Sequence, residues 1–276
     1  MTKKPSIPPK KNRTKKPRSL LFKIAIGIVI IMIVIVGRYF FYPSVSWYEN
    51  HNPTTTSFIE FRKEQWVAKN KPRKLRMVWV SYSQISPTLI RALILSEDAK
   101  FWQHDGFDFE AINDAIITDI KAGKFKIGAS TITQQLAKNL FLKPTKNPIR
   151  KISEAILTWR LERTLSKKRI LELYCNIAEW GDGIFGIEAA AQFYFHKSAS
   201  GLTAEESARL VAVLPNPIRF SPLSQTSRFV VRRTSKLVRG LGTSLPPDSL
   251  ASTASHPPVQ APRSTEREDT VSDVWN

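Results

Sequence analysis

A chain of 276 residues with 42% hydrophobic content holds one packed domain of ordinary size plus extensions, and its single cysteine, Cys175, excludes an intrachain disulfide. Its net charge of +19 favours anionic partners: lipid headgroups, phosphates or nucleic acid. The first 23 residues hold nine Lys/Arg and no acid, so the remainder carries 33 basic against 23 acidic residues, or +10, and the basicity is global with a dense N-terminal cluster.

The chain opens on "TKKPSIPPKKNRTKKPR", Pro-rich and charged, which predicts a disordered basic tail over residues 1–19. Residues 24–37, "IAIGIVIIMIVIVG", are uncharged and almost wholly apolar. Leu20–Phe22 and the aromatics Tyr39–Tyr42 extend the run to the length of a membrane-spanning helix, with Lys23 and Arg38 placed to snorkel at its edges. No small-x-small cleavage site directly follows the run in "RYFFYPSV", which favours an uncleaved anchor over 20–42 rather than a signal peptide. The basic cluster precedes the span, so the positive-inside rule places residues 1–19 in the cytoplasm and everything after Pro43 outside.

Pro43 to Pro53 reads as a connector, and the best strand signal is "LRMVWVSY" over 75–82. From Ser86 onward helices dominate. Ser86-Pro87 supplies an N-cap with Pro in the first turn of an apolar helix. In "DFEAINDAIITDIKAGK", Ala111, Ile112, Ala115, Ile116 and Ile120 lie on one face, with Gly123 as a stop. Thr131 and Gln134 have capping-box spacing, and Asn147-Pro148 opens a helix carrying Ile149, Ile152, Ile156 and Trp159 at helical spacing. "SKKRILELYCNIAEW" is a further helix, and "TAEESARLVAVLP" another, capped by Thr203 and Glu206 and stopped by Pro215. The chain has no internal repeat. Residues 241–276 are Ser/Pro/Thr-rich and expected to be disordered. The folded unit is therefore 43–240, mainly α.

The chemistry concentrates at two places. The apolar helix before residue 98 ends in two adjacent acids, Glu97 and Asp98, followed by Phe101, Trp102, His104 and Gly106. Two readings are open: acids that cap a turn or pair with Lys100, and a general base held among aromatics. His104 reads as a structural histidine before a proton-transferring one. The second place, 128–151, holds Ser130, Thr131, Thr133, Gln134, Gln135, Lys138 and Asn139, then Lys143, Lys146, Arg150 and Lys151, with no acid between Asp119 and Glu154. Gln134, Lys138 and Phe141 fall on one helical face, and hydroxyls and amides at a helix start with lysines beyond make a cradle for phosphate oxygens. Glu154 lies four residues after Arg150. A helix salt bridge is one reading; the other is a carboxylate that orients Arg150 and Lys151 or holds a divalent cation near a leaving phosphate. No zinc cluster, Walker, Rossmann or G-x-S-x-G pattern occurs.

Four ordered blocks then carry a resemblance: "EDAKFWQHDG" (97–106), "GASTITQQLAKN" (128–139), "RKISEAILTWRLERTLSKKRILELYCN" (150–176) and "GIFGIEAAAQFYFHKSASGLTAEESARLVAVLPNP" (183–217). Together they resemble the peptidoglycan glycosyltransferase family, the lysozyme-like transglycosylase domain of penicillin-binding proteins. One anchor followed by this domain alone is similar to the layout of its monofunctional members. The resemblance implies a lysozyme-like α-helical domain held on the outer face of a bacterial inner membrane. It implies lipid II, a disaccharide-pentapeptide on a polyprenyl diphosphate, and the nascent glycan strand as substrates. The 4-hydroxyl of the acceptor's N-acetylglucosamine would attack C1 of the donor's N-acetylmuramic acid with inversion, releasing polyprenyl diphosphate. By alignment of blocks, Glu97 stands at the family's general base and Glu154 at its second essential glutamate. Asp98, Phe101 and His104 stand where the first glutamate's surroundings are shaped. Ser130, Thr131, Gln134, Lys138, Asn139, Arg150, Lys151 and, more weakly, Lys146 stand at donor-site positions.

No cofactor is required by this reading, with Mg or Mn at the diphosphate as the one candidate. Membrane lipids are expected partners, cell-wall synthesis or division proteins are candidate partners, and no nucleic acid is expected. The match fades after Pro222, and Cys175 replaces a larger apolar residue, so a buried inert thiol is expected there. No transpeptidase domain is expected to follow, and peptide cross-linking is not predicted. Two rivals compete: a membrane-anchored lysozyme-like enzyme that cleaves peptidoglycan, which needs a poised general acid, and an anchored nucleic-acid-binding protein drawn by the charge.

Overall fold

The computed structural model describes residues 18–122, 130–145 and 147–242. The basic tail up to residue 17, the stop expected at Gly123, Lys146 and the stretch from 243 onward lie outside the described residues. In chain order the elements are α1 (Arg18–Gly37), α2 (Ser57–Ala68), β1 (Arg76–Met77), α3 (Pro87–Glu97), α4 (Phe109–Ala122) and α5 (Ile132–Phe141). There follow α6 (Pro148–Thr164), α7 (Lys167–Ile177), β2 (Glu179–Gly181), β3 (Ile184–Phe185), α8 (Ile187–Phe195), α9 (Ala204–Val213) and α10 (Arg228–Gly242). The architecture is mainly α, as the helical periodicity requires.

The stretch Phe22–Phe40 has a mean hydropathy of 2.2 and none of it is buried against the rest of the chain. By length and composition it is a helix able to cross a membrane. Its exit is fastened to the domain by arginines. Arg160 of α6 donates to the carbonyls of Tyr39 at 2.9 Å and Phe41 at 3.3 Å, and Arg169 of α7 donates to those of Tyr48 and His51, both at 2.8 Å. Charged donors thereby satisfy carbonyls that the irregular connector leaves unpaired.

Local chemistry sets most helix starts. Thr131 with Gln134, and Thr203 with Glu206, form reciprocal capping boxes, and Asn147 caps α6 ahead of Pro148. Ser86 stands at the start of α3 but does not cap it. Its hydroxyl donates instead to the carbonyl of Leu202 at 3.1 Å, tying α3 to the chain entering α9. The buried face of α3, Leu89, Ile90, Ala92 and Leu93, packs against α9 and α10.

The strand expected over 75–82 shortens to Arg76–Met77, parallel to β3, which pairs in turn with β2. Beyond Met77 the ladder is replaced by one side chain. Asn176, wholly buried, accepts from the N–H of Val80 at 2.9 Å and donates to its carbonyl at 2.8 Å. A β-like pair of bonds is thus supplied by an amide on α7.

Two apolar stripes read from the sequence do not enter the core. On α4, Phe109, Ile116 and Ile120 are exposed, Ile120 by 67%. On α6, Ile152 and Trp159 are exposed, and the buried side is Ser153, Glu154, Leu157, Thr158 and Leu161. Helical spacing reports that a face is apolar but not what covers it. Trp159 instead meets Phe40, at the foot of α1, edge-on with ring centroids 6.2 Å apart.

Asn176→Ala strands the Val80 N–H and C=O in a dry interior. It should cost about 2–4 kcal/mol, read as a lowered denaturation midpoint at unchanged m-value.

Candidate active site

The last turn of α3 delivers Ser96, Glu97 and Asp98 to one place. Asp98 turns inward. Its Oδ2 accepts from the N–H of Ile132, the first residue of α5, at 3.0 Å, and its Oδ1 lies 2.7 Å from His104 Nε2. Gly106 N–H donates to His104 Nδ1 at 3.1 Å, so the ring carries its hydrogen on Nε2 and donates it to Asp98. Thr131 Oγ1 donates to the carbonyl of Gly106 at 2.7 Å, closing the loop onto the start of α5. Gly106 has φ +89°, and a Cβ there would stand 2.8 Å from both Glu162 Cγ and Thr158 Cγ2, so a side chain is excluded by both conformation and space.

A further layer backs this loop. Glu162 accepts from Thr133 Oγ1 at 2.5 Å and from Lys167 Nζ at 2.9 Å. The same Lys167 donates to the carbonyl of His104 and lies 4.4 Å from the centroid of the Phe101 ring.

With Asp98 committed to the interior, its neighbour Glu97 points the other way. Glu97 Oε1 accepts from Ser96 Oγ at 3.0 Å and has Arg233 Nη2 at 3.5 Å, while Oε2 accepts from Gln135 Nε2 at 3.1 Å. Its side chain is 15% exposed, enough for a ligand to reach it. Arg233 arrives from α10 and also donates to Ser96 Oγ at 2.8 Å. Its guanidinium lies 5.6 Å from the centroid of the Phe229 ring, and Phe220 stacks on Phe229 at 4.4 Å.

One turn along α5 from Gln135 stands Lys138. Burial pushes its ammonium below the usual lysine range; Glu154 and, more weakly, Glu97 pull it up, and Arg150 and Lys151 push it further down. Among the described residues no hydrogen-bond acceptor meets its Nζ. Glu154, on the buried side of α6, accepts from Arg150 Nη1 at 2.8 Å and from Lys151 Nζ at 2.5 Å. The cleft therefore has one carboxylate among neutral and cationic donors, an ammonium without a counter-anion in contact, and a second carboxylate held by two cations. No group of three or more His, Cys, Asp or Glu converges as a metal site among the described residues.

Of the residues named from the sequence, Glu97, Lys138, Arg150, Lys151 and Glu154 come together. Asp98, Phe101 and His104 form the wall behind Glu97. Phe101 is wholly buried, so it cannot touch a ligand, and Asp98 is closed off by its own hydrogen bonds. Thr131 and Gln134 are likewise buried, each spent on the cap of α5. The amide that meets Glu97 is Gln135, which the sequence places in the stretch but not among the donor-site positions. The register held the signal: Gln135 lies three residues before Lys138 and four before Asn139, which is one helical face, whereas Gln134 belongs to the cap. Ser130 and Asn139 are half-buried beside this face. Arg233 had no local signal, since α10 reaches the site only through its packing on α3 and α9.

A family model described as Transglycosylase matches residues 63–239. The chain is 42% identical over 226 residues to a biosynthetic peptidoglycan transglycosylase of Herminiimonas arsenicoxydans, covering 82% of this chain and 96% of that protein. Proteins of the same description from Nitrosospira multiformis and Aromatoleum aromaticum are 44% identical over 204 residues and 46% identical over 193 residues. They cover 74% and 70% of this chain, and 88% and 84% of their own lengths, respectively.

Lys138 makes a test of the site's electrostatics independent of turnover. Charging it costs more in the folded than in the unfolded chain, so between its lowered folded value and the ordinary lysine value the unfolded chain binds more protons, and stability rises with pH. Lys138→Met should therefore raise the melting temperature near neutral pH by about 2–4 °C, a gain that shrinks as pH rises through that window. Inorganic diphosphate should raise the melting temperature of the wild type and not of this variant.

Proposed function

The chain belongs to the transglycosylase family, and from that premise we propose that it polymerises lipid II into glycan strands, with Glu97 as the base and the Lys138–Arg150–Lys151 group as the diphosphate site. The observation that carries this reading is the half-buried ammonium of Lys138, without an acceptor among the described residues, set between Glu97 and the Glu154 cluster. A buried cation without an anion is a cost to the fold, and it is recovered when an anionic ligand arrives.

The two ends of the cleft match the two needs of the reaction. The acceptor's 4-hydroxyl loses its proton to Glu97 as its oxygen bonds to C1 of the donor. The C1–O bond to phosphate breaks on the opposite face, and polyprenyl diphosphate departs with the electron pair. A diphosphate is a good leaving group, so the step asks for positive charge at its oxygens more than for a strong acid. Arg150 and Lys151 are held by Glu154, which keeps them aimed without neutralising Lys138. Magnesium or manganese, if bound, would add positive charge at the diphosphate oxygens.

The lytic rival fits less well. A glycan-cleaving enzyme needs a protonated carboxylic acid ready to donate. Here both candidate acids are ringed by donors, Ser96, Gln135 and Arg233 for Glu97 and Arg150 and Lys151 for Glu154.

The membrane enters the proposal through surface. The anchor 20–42 tethers domain 43–240 with residues 1–19 in the cytoplasm and the active site on the other side. The uncovered residues of α4 and α6, and Phe40 and Phe41 beyond α1, are apolar side chains that the lipid boundary would cover. A lipid-linked substrate would then meet the cleft at that boundary.

In lipid II polymerisation by the full-length protein in lipid vesicles, Glu97→Gln should lower kcat by about 10²–10⁴-fold with unchanged melting temperature, and Glu154→Gln by about 10²–10³-fold with a lowered melting temperature, since it breaks the pairs to Arg150 and Lys151. Retained activity in Glu97→Gln overturns the base assignment; muropeptide release from finished peptidoglycan without polymer reverses the reaction class. Ile116→Asp with Ile120→Asp should raise the apparent KM for lipid II several-fold and leave kcat within twofold.

A further inference from the structure

Tyr174 is a buried polar group that the mechanism above does not use. It lies on α7, is 2% exposed, and its hydroxyl makes one hydrogen bond, to Gln135 Oε1 at 2.9 Å. Gln135 Nε2 then donates to Glu97 Oε2 at 3.1 Å. A side-chain amide can take two orientations, and the difference matters at this position: one presents N–H to the carboxylate, the other a carbonyl oxygen that repels it.

The phenol holds the first of them. It is shut away from water, and burial, with the negative charge of Glu97 adding to it, pushes its pKa well above the ordinary tyrosine value. Tyr174 therefore stays protonated throughout the working pH range and offers a donor to Gln135. The Glu97 carboxylate only accepts, so it takes the amide NH2 and leaves the Gln135 oxygen facing Tyr174, whose hydroxyl donates to it and holds that orientation.

We infer that Tyr174 is a positioning residue for Glu97, acting through Gln135: the chain Tyr174 O–H to Gln135 Oε1, and Gln135 N–H to Glu97 Oε2, fixes the carboxylate plane in which the acceptor hydroxyl is met. The inference rests on the reading of Glu97 as the base. It assigns Tyr174 no contact with substrate. The opposite oxygen, Oε1, is held by Ser96 and Arg233, so with this relay both oxygens are fixed from outside the reacting groups.

The test is a double-mutant cycle on the full-length protein in lipid vesicles, using Tyr174→Phe, Gln135→Ala and the pair, with Glu97→Gln alongside. Tyr174→Phe should lower kcat roughly five- to twentyfold with KM for lipid II within twofold. In the Gln135→Ala background the same change should have no further effect, since the relay is already cut. Multiplicative losses in the double variant, or wild-type kcat in Tyr174→Phe, overturn the inference, and a KM effect without a kcat effect does the same. If Glu97→Gln is inactive while Tyr174→Phe is normal, only the relay falls; an active Glu97→Gln removes the base assignment itself. A measurement on the wild type covers the case in which Tyr174→Phe does not fold. The Gln135 side-chain amide protons, followed by 15N NMR, should exchange slowly and inequivalently, and fast, equivalent exchange refutes a locked amide.

Discussion

The site is organised around one buried carboxylate, and it is not the one that faces the cleft. Asp98 accepts from the first N–H of α5 and from His104, and both bonds are sheltered from water. A negative group at a helix N-terminus answers an orphan donor and the positive end of the helix dipole together. Because successive side chains at the end of a helix diverge, committing Asp98 to the interior turns Glu97 outward. The loop 99–106 then wraps back through His104, Gly106 and Thr131, and the left-handed Gly106 lets its backbone press against Thr158 and Glu162. One ion–helix contact thereby brings the ends of α3, α5, α6 and α7 into register.

From that register follows a division of charge. On the α3 side, neutral donors and Arg233 hold Glu97, which keeps a partly exposed carboxylate. On the α6 side, Glu154 spends both oxygens on Arg150 and Lys151, and Lys138 stands between the two acids without an acceptor. The fold tolerates a half-buried ammonium because stability and function are traded at such sites. What lowers the lysine's affinity for its proton, burial first, is also what makes a polyanionic ligand welcome.

Uncovered apolar surface is the third feature, found on α1, α4 and α6. Arg160 and Arg169 fasten the exit of α1 to α6 and α7, so the segment is joined to the domain by charge-assisted bonds rather than hung on a loose linker. Ile116 and Ile120 of α4 and Ile152 and Trp159 of α6 are exposed as well. An enzyme whose substrate keeps its tail in the bilayer has use for such a surface.

By itself the sequence determined several helices and where three of them begin, because caps and Pro-initiated turns are local chemistry: Thr131–Gln134, Asn147–Pro148 and Thr203–Glu206 act within four residues. It also marked Glu97, Lys138, Arg150, Lys151 and Glu154 as candidates for one site. Only the tertiary structure decided which side each helix hides. The isoleucines of α4 and α6 have core-like periodicity, yet periodicity records that a face is apolar and not whether protein or lipid covers it. The structure alone chose Gln135 over Gln134, gave Asn176 the bonds of a strand, and brought Arg233 and Tyr174 to Glu97 from 136 and 77 residues away. Those partners are set by packing between distant helices, a cooperative outcome that no short window of residues contains.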